Sequence, residues 1–183
     1  MSSANEKRLI GGRYVVARTR DQSEELAVLL REYGCTVSWL PCIGIEADEK
    51  MPSHIVSELT GGAFDWIIFT SANAARQFAS LADQAALKLR STTRIATIGP
   101  RTAHAAQDAG LEVTFSAAPG TIETFVDSFV AAGYPVQHVL YPTSHLADSR
   151  LRREFAKHGV DVTRVNIYRT VNTVEEAHIS EIL

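Results

Sequence analysis

The strongest indication of the fold is the stretch Trp66-Ile67-Ile68-Phe69-Thr70-Ser71-Ala72-Asn73. Four apolar residues stop at small polar ones, and a helical pattern begins directly after them. A continuous apolar run of this length is typical of a strand that is buried on both faces, as in parallel sheets covered by helices. The stretch therefore predicts a buried strand that is followed by a helix.

The same pattern occurs twice more along the chain. Ile95–Ile98 is followed by Gly99-Pro100-Arg101-Thr102, and Val139-Leu140-Tyr141 is followed by a turn at Pro142-Thr143-Ser144. The start of a helix carries free N–H donors and the positive end of the helix dipole, and Ser and Thr hydroxyls add further donors. In such sheets the ligand lies beyond the carboxyl ends of the strands. Three such turns predict a cradle for carboxylates or phosphates.

Strands and helices alternate through the central part of the chain. The predicted strands are Trp66–Phe69, Ile95–Ile98, Val113–Phe115, Val139–Tyr141 and Val162–Val165. Strict alternation predicts a parallel sheet with right-handed crossovers. Five strands suit the flavodoxin-like order.

The two ends of the chain do not supply a full domain of this kind. Residues 14–40 predict two strands and one helix, and Thr173 with Glu176 forms a capping box that opens a last helix. Two strands and one helix bury too little surface to be stable alone. We therefore expect a complete second domain, residues 45–167, between two pieces, 1–44 and 168–183, of an incomplete discontinuous first domain.

The composition is that of a globular protein without a strong charge. The chain has 183 residues, 45% of them apolar and 21% charged, and a formal net charge of -3. This balance lacks the basic excess of a nucleic-acid binder, and nothing approaches the length of a membrane span. We expect a cytoplasmic protein with no nucleic-acid partner and no membrane partner, in which Cys35 and Cys42 are reduced thiols.

Motifs for several kinds of chemistry are absent from the sequence. A single glycine, Gly99, stands where a dinucleotide fingerprint needs three. The six histidines lack metal-ligand spacing, and a nucleophile elbow is missing. We therefore expect no cofactor and no metal, and either a cofactor-independent activity or no activity.

Several motifs resemble, in order and spacing, those of the uroporphyrinogen-III synthase family. They are Val15–Gln22, Leu40-Pro41, Ile43–Glu46, Phe64–Ala74, Ile98–Ala103, Val139–Pro142 and Ile167–Thr170. In the first of them Arg18 matches the family's usual Val-Thr-Arg-Pro, whereas Ala17 and Thr19 depart from it. The resemblance covers most of the chain, from Val15 to Thr170.

This resemblance implies two flavodoxin-like parallel-sheet domains that are joined by two extended connectors, with the substrate in the cleft between them. Because the family continues well beyond the second connector, the first domain is expected to be incomplete in this chain. The chain would then be a fragment or a shortened relative, inactive alone.

The activity that the resemblance implies is the cyclisation of hydroxymethylbilane, a linear tetrapyrrole with eight carboxylates, to uroporphyrinogen III. The family's enzymes release water, invert the last pyrrole ring through a spiro intermediate and close the macrocycle. They use no cofactor, and we expect a monomer. The alternative is a shortened, non-catalytic module that binds a carboxylated or phosphorylated small molecule.

The resemblance also points to particular site residues. Tyr168 matches a connector tyrosine that the family uses in the reaction, and its phenol could donate a proton to the departing hydroxyl. The predicted substrate-binding residues are Arg18, Ser71, Thr102, Thr143 and Ser144. Four of these residues have plainer alternatives: Arg18 as a surface arginine, Ser71 and Thr102 as residues at a helix start, and Tyr168 as an aromatic packed at a hinge.

Overall fold

The computed structural model describes residues 11–173, without the side chains of residues 21 and 22. The strands are β1 Arg13–Val16, β2 Thr36–Trp39, β3 Ile43–Ala47, β4 Trp66–Phe69, β5 Arg94–Ile98, β6 Phe115–Ala117, β7 His138–Ser144 and β8 Asp161–Asn172. The helices are α1 Arg20–Glu32, α2 Ser53–Gly61, α3 Ala72–Gln84, α4 Pro100–Asp108, α5 Ile122–Ala131 and α6 Arg150–Ala156. The predicted last helix beyond Thr173 lies outside the described residues.

The chain divides into two compact units. The smaller one runs up to Ile45 and resumes at Thr170, and the larger one is Glu46–Arg169. In the smaller unit β1 and β2 pair in parallel, with Val16 opposite Trp39, and α1 connects them. Leu26 and Leu29 of α1 remain about half exposed, at 49% and 54%. The apolar side chains of this helix are therefore only partly covered.

The larger unit is built on strands β8-β7-β4-β5-β6, and β3, which crosses the boundary between the units after Ile45, is the edge strand next to β8 in the same six-stranded sheet. Strands β4 to β8 form one continuous parallel set. The predicted α/β fold with a parallel sheet is therefore confirmed. None of the helices among the described residues has the length and apolar character that crossing a membrane requires.

The order of the five parallel strands differs from the one predicted. Numbered along the chain from β4, they lie in the order 3-2-1-4-5, whereas the flavodoxin-like order is 2-1-3-4-5. Both orders bury the same apolar runs between two helix layers, so the apolar pattern alone does not distinguish them. In the observed order the direction of strand addition reverses between β4 and β7, and in such sheets a crevice opens there.

The core of the larger unit lies on both faces of β4, all four residues of which are buried. One face carries Ile67 and Phe69, which belong to a cluster with residues of α2 and α3. The other carries Trp66 and Ile68, which belong to a cluster rich in the aromatic residues of α5 and α6. Alternate residues of one strand thus enter opposite layers, as a doubly covered sheet requires.

Three strands differ clearly in their bounds from those predicted. Strand β8 does not end at Val165 but continues to Asn172, through the segment that was predicted as an extended connector. Strand β6 begins at Phe115, and Val113 packs against the core from the preceding loop, so its apolar character reflects burial and not strand pairing. Strand β7 continues through Pro142 to Ser144, where we predicted a turn. Pro142 has no N–H to donate, and it lies opposite Val165 of β8, beyond Leu140, where the pairing of β7 with β4 ends.

Candidate functional site

Polar residues gather at the carboxyl end of the parallel sheet in the larger unit. Strand β4 ends at Phe69, β5 at Ile98, β6 at Ala117 and β7 at Ser144. Because these strands are parallel, all four ends lie at one edge of the sheet. Of the predicted site residues, Ser71, Thr102, Thr143 and Ser144 lie at or just beyond these ends.

Ser71 and Tyr168 are brought into direct contact at this edge. The Ser71 Oγ and the Tyr168 hydroxyl oxygen are 3.2 Å apart, although 97 residues separate them in sequence. Ser71 is also the N-cap of α3, and its Oγ accepts a hydrogen bond from the Ala74 N–H at 3.1 Å. Tyr168 is 6% exposed and belongs to the same apolar cluster as Phe69 and Ile167. Its ring is thus held by packing and its hydroxyl by Ser71.

A second hydroxyl pair forms one residue earlier in the chain. The Thr70 Oγ1 lies 3.1 Å from the Tyr141 hydroxyl oxygen. Thr70 and Ser71 are neighbours in sequence, and the two tyrosines belong to the clusters on opposite faces of the sheet. The pair between Thr70 and Tyr141 therefore joins the end of β4 to β7, at the point where the strand order reverses.

Thr102 lies in the first turn of α4, but it is not the capping residue. The N-cap is Gly99, with φ 79° and ψ 155°, a conformation that residues with a Cβ rarely adopt. Pro100 follows at the first helical position, where its missing N–H costs nothing. Thr102 is 5% exposed. The start of α4 is thus defined by the backbone conformations of Gly99 and Pro100 and not by a side-chain cap from Thr102.

Thr143 and Ser144 belong to strand β7 and not to a turn. They are 4% and 9% exposed. Ser144 pairs with Tyr168 of β8 across a bulge in the register between Thr143 and Ser144. The Arg164 guanidinium donates to the carbonyl oxygens of Ser144 and His145, each at 3.0 Å. These contacts extend the strand past the point at which the sequence predicted its end.

A shallow cavity of about 330 Å³ opens beside the strand-order reversal. Its lining includes Thr70, Tyr141 and Leu146, together with Asp148 and Arg150. The Arg150 backbone N–H, 2.9 Å from the Asp148 Oδ1, lowers the pKa of that carboxyl, and the Arg150 side chain contributes in the same direction. Asp148 is therefore ionised at neutral pH and pairs with the Arg150 Nε at 2.6 Å. Arg150 is thus engaged in a solvent-exposed ion pair.

Arg18 lies in the smaller unit, just after β1, with an exposed side chain. The predicted residues of the larger unit therefore lie at one edge of its sheet, and two of them, Ser71 and Tyr168, are in contact. Arg18 belongs to the other unit. Within residues 11–173, no group of three His, Cys, Asp or Glu side chains could hold a metal ion.

The arrangement at the sheet edge is rich in neutral hydrogen-bond donors. Hydroxyl groups from Thr70, Ser71, Tyr141 and Tyr168 are paired there, beside the start of α3. Such groups can bind carboxylate oxygens, and a phenol can also donate a proton. Thr70 and Tyr141 were not among the site residues predicted from the sequence. The sequence did contain an indication: Thr70 and Tyr141 each stand at the end of an apolar run, and both runs were predicted to end at the same edge of the sheet.

Comparison with protein families gives a match over most of the chain. The family model described as "Uroporphyrinogen-III synthase HemD" matches residues 24–183. This range includes both tyrosines and all the hydroxyl residues of the sheet edge, and it excludes Arg18.

Curated relatives agree with this match. The chain is 28% identical over 165 residues to the chloroplastic uroporphyrinogen-III synthase of Oryza sativa, covering 86% of this chain and 53% of the relative. It is 29% identical over 157 residues to the putative uroporphyrinogen-III synthase of Methanothermobacter thermautotrophicus, covering 85% of this chain and 61% of the relative. The chain thus spans little more than half the length of these relatives.

Solved structures show the same fold. A mutant uroporphyrinogen III synthase from Thermus thermophilus superimposes with a TM-score of 0.60 at 18% identity, covering 88% of this chain and 64% of that one. The enzyme from Helicobacter pylori gives a TM-score of 0.51 at 20% identity, covering 80% of this chain and 62% of that one. At these identities the likeness concerns the fold alone.

Proposed function

Because the chain belongs to the uroporphyrinogen-III synthase family, we propose that it acts in the cyclisation of hydroxymethylbilane to uroporphyrinogen III. The observation that carries this proposal is the family match over residues 24–183. The hydroxyl-lined sheet edge supports it, because a substrate with many carboxylates needs many donors in defined places. In this proposal the two units represent the two domains expected from the sequence, 1–44 with 168–183, and 45–167.

We propose that Tyr168 is the proton donor of the reaction. As the bond between the substrate's terminal carbon and its hydroxyl oxygen breaks, the electron pair leaves with the oxygen. The Tyr168 proton then converts the departing hydroxide to water. The proton that the substrate loses when the ring closes returns to the Tyr168 oxygen, so the enzyme ends as it began. The packing of the Tyr168 ring supports this role, because a buried ring holds its hydroxyl in one place.

The remaining predicted residues are proposed as substrate-binding groups. Less than one tenth of the surface of Thr102, Thr143 and Ser144 is exposed. Each would therefore contact the substrate through its hydroxyl group alone. Arg18 is exposed and would bind a substrate carboxylate through its fork of N–H donors. Holding the flexible substrate in one conformation is the main task of such groups, since the linear molecule also closes without help to the wrong isomer.

The test of the proposed function is an isomer assay on the full-length protein. Hydroxymethylbilane is supplied, the products are oxidised, and uroporphyrins III and I are separated. We expect isomer III to form faster than isomer I appears without protein. Isomer I alone, at the spontaneous rate, would reject the activity and leave the non-catalytic binding module as the remaining function.

Arg18→Ala is expected to raise KM about tenfold and to leave kcat unchanged. A carboxylate that lies away from the reacting carbon is bound equally in the ground and transition states, so its loss weakens binding only. A charge-assisted hydrogen bond is worth about 1.5–3 kcal/mol, which corresponds to tenfold or more. The measurement is steady-state kinetics with hydroxymethylbilane.

The matched control for Arg18 is Arg13→Ala, which removes an exposed arginine from the opposite end of β1. It should leave both constants within about twofold of the wild type. A fall in kcat at constant KM in Arg18→Ala would show that Arg18 acts in the transition state and not in binding.

A further inference from the structure

The oxygen of Ser71 is held by the helix that it caps. The Ser71 Oγ accepts the Ala74 N–H at 3.1 Å, and the Ser71 backbone is extended, with φ -148° and ψ 148°. A serine hydroxyl has one proton to donate and two lone pairs to accept with. The capping bond uses one lone pair and fixes the oxygen, so the Ser71 proton remains available in a defined direction.

The available partner for that proton is the Tyr168 hydroxyl oxygen, 3.2 Å away. The Ser71 Oγ accepts a hydrogen bond at the positive end of α3, and this polarises its O–H bond and makes it a better donor. When Ser71 donates to Tyr168, the proton of Tyr168 is left free for a ligand. The opposite direction would hold the Tyr168 proton inside the protein.

We propose that Ser71 is a positioning residue, which donates to the Tyr168 hydroxyl oxygen and directs the Tyr168 proton towards the substrate. The resemblance alone predicts Ser71 as a substrate-binding residue. The proposal rests on the proposed function, because Tyr168 must be the proton donor for its orientation to affect turnover. As the Tyr168 proton leaves, negative charge grows on an oxygen that Ser71 and the start of α3 stabilise.

The substitutions at Ser71 separate this role from helix capping. Ser71→Gly keeps a residue that is well tolerated at an N-cap but removes the hydroxyl. Ser71→Thr keeps both the cap and the hydroxyl, and the extended backbone suits a β-branched residue. The matched control is Thr121→Gly, because Thr121 caps α5 through the Thr124 N–H and its bonds stay within its own turn.

The kinetic test uses these variants in the full-length protein. We expect Ser71→Gly to lower kcat about tenfold with KM within about twofold, and Ser71→Thr to restore most of kcat. In the Tyr168→Phe background, Ser71→Gly should change kcat by less than about twofold, because Ser71 acts through the hydroxyl that is already gone. Thr121→Gly should leave kcat unchanged.

Two kinetic results would overturn the proposal. A rise in KM at constant kcat in Ser71→Gly would make Ser71 a direct substrate donor. An effect of full size in the Tyr168→Phe background would show that Ser71 acts independently of Tyr168.

A second measurement does not depend on activity. With tyrosine labelled at the ring carbon that carries the hydroxyl, the NMR signal of that carbon reports the hydrogen bond that the Tyr168 oxygen accepts. This signal should be the same in the wild type, Ser71→Thr and Thr121→Gly, and it should shift in Ser71→Gly, whereas a slowly exchanging Tyr168 hydroxyl proton in the wild type would show that Tyr168 is the donor and would overturn the proposal. An unchanged Tyr168 signal in Ser71→Gly would overturn the positioning role. If the wild type forms only isomer I, the proposed function fails, and this comparison still decides whether Ser71 holds Tyr168.

Discussion

Tyr168→Phe is expected to lower kcat about a hundredfold while leaving KM within about twofold, since general acid catalysis contributes about 10²–10⁴ in rate. The substitution removes only the hydroxyl. The ring, which is 6% exposed, stays packed in its apolar cluster, so the fold should be retained. The departing hydroxide then lacks its proton donor at the moment when charge develops on it. The measurement is steady-state turnover of hydroxymethylbilane with the products resolved as isomers.

The control for Tyr168→Phe is Tyr134→Phe, which removes the same hydroxyl group from a different tyrosine. Tyr134 packs in the other aromatic cluster, and its ring centroid lies 5.2 Å from that of Trp66. It should leave kcat unchanged. A Tyr168→Phe variant with the turnover of the wild type would make Tyr168 an aromatic with a packing role only. Proton donation would then have to come from another group.

Phe129→Ala is expected to lower the free energy of unfolding by about 3–5 kcal/mol, the usual cost of removing a large buried aromatic side chain. Phe129 is fully buried in α5. Its ring makes edge contacts with Trp66 at 4.8 Å, Phe115 at 5.4 Å and Phe155 at 5.6 Å. These contacts tie α5 to β4, β6 and α6, so the cavity left by alanine would lie at the centre of one helix layer.

Equilibrium unfolding in urea measures this change, with Val130→Ala as the matched control. Val130 follows Phe129 in the same helix but is 37% exposed, so its truncation should cost less than about 1 kcal/mol. A loss below about 1 kcal/mol for Phe129→Ala would show that this layer collapses around the substitution or contributes little to stability.

Most of the secondary structure of the larger unit could be predicted from local patterns. The run Trp66–Phe69 is buried on both faces, as its composition indicated, and Ser71 caps the helix that follows. Burial and capping depend on neighbours within one turn or one strand, which the sequence shows directly. The end of β7 could not be predicted in this way. Pro142 normally stops a strand, but here it lies beyond the reach of β4, and Arg164 holds the carbonyls that follow.

The candidate site was predicted as a set of residue types and not as a geometry. The helix starts pointed to Ser71 and Thr102, and the resemblance pointed to Tyr168. Sequence spacing offered no reason to connect Ser71 with Tyr168, or Thr70 with Tyr141, because each pair is separated by 71 to 97 residues. These contacts can be inferred only when the order of the strands in the sheet is known.

The sequence by itself determined most of the buried strands, most of the helix starts and the family that the motifs resemble, because these depend on composition and short-range spacing. Only the tertiary structure decided that β4 lies between β7 and β5, and that Ser71 meets the hydroxyl of Tyr168. The physical reason is that an apolar strand gains the same burial beside several possible neighbours. The choice among them depends on how the side chains of the whole core pack together.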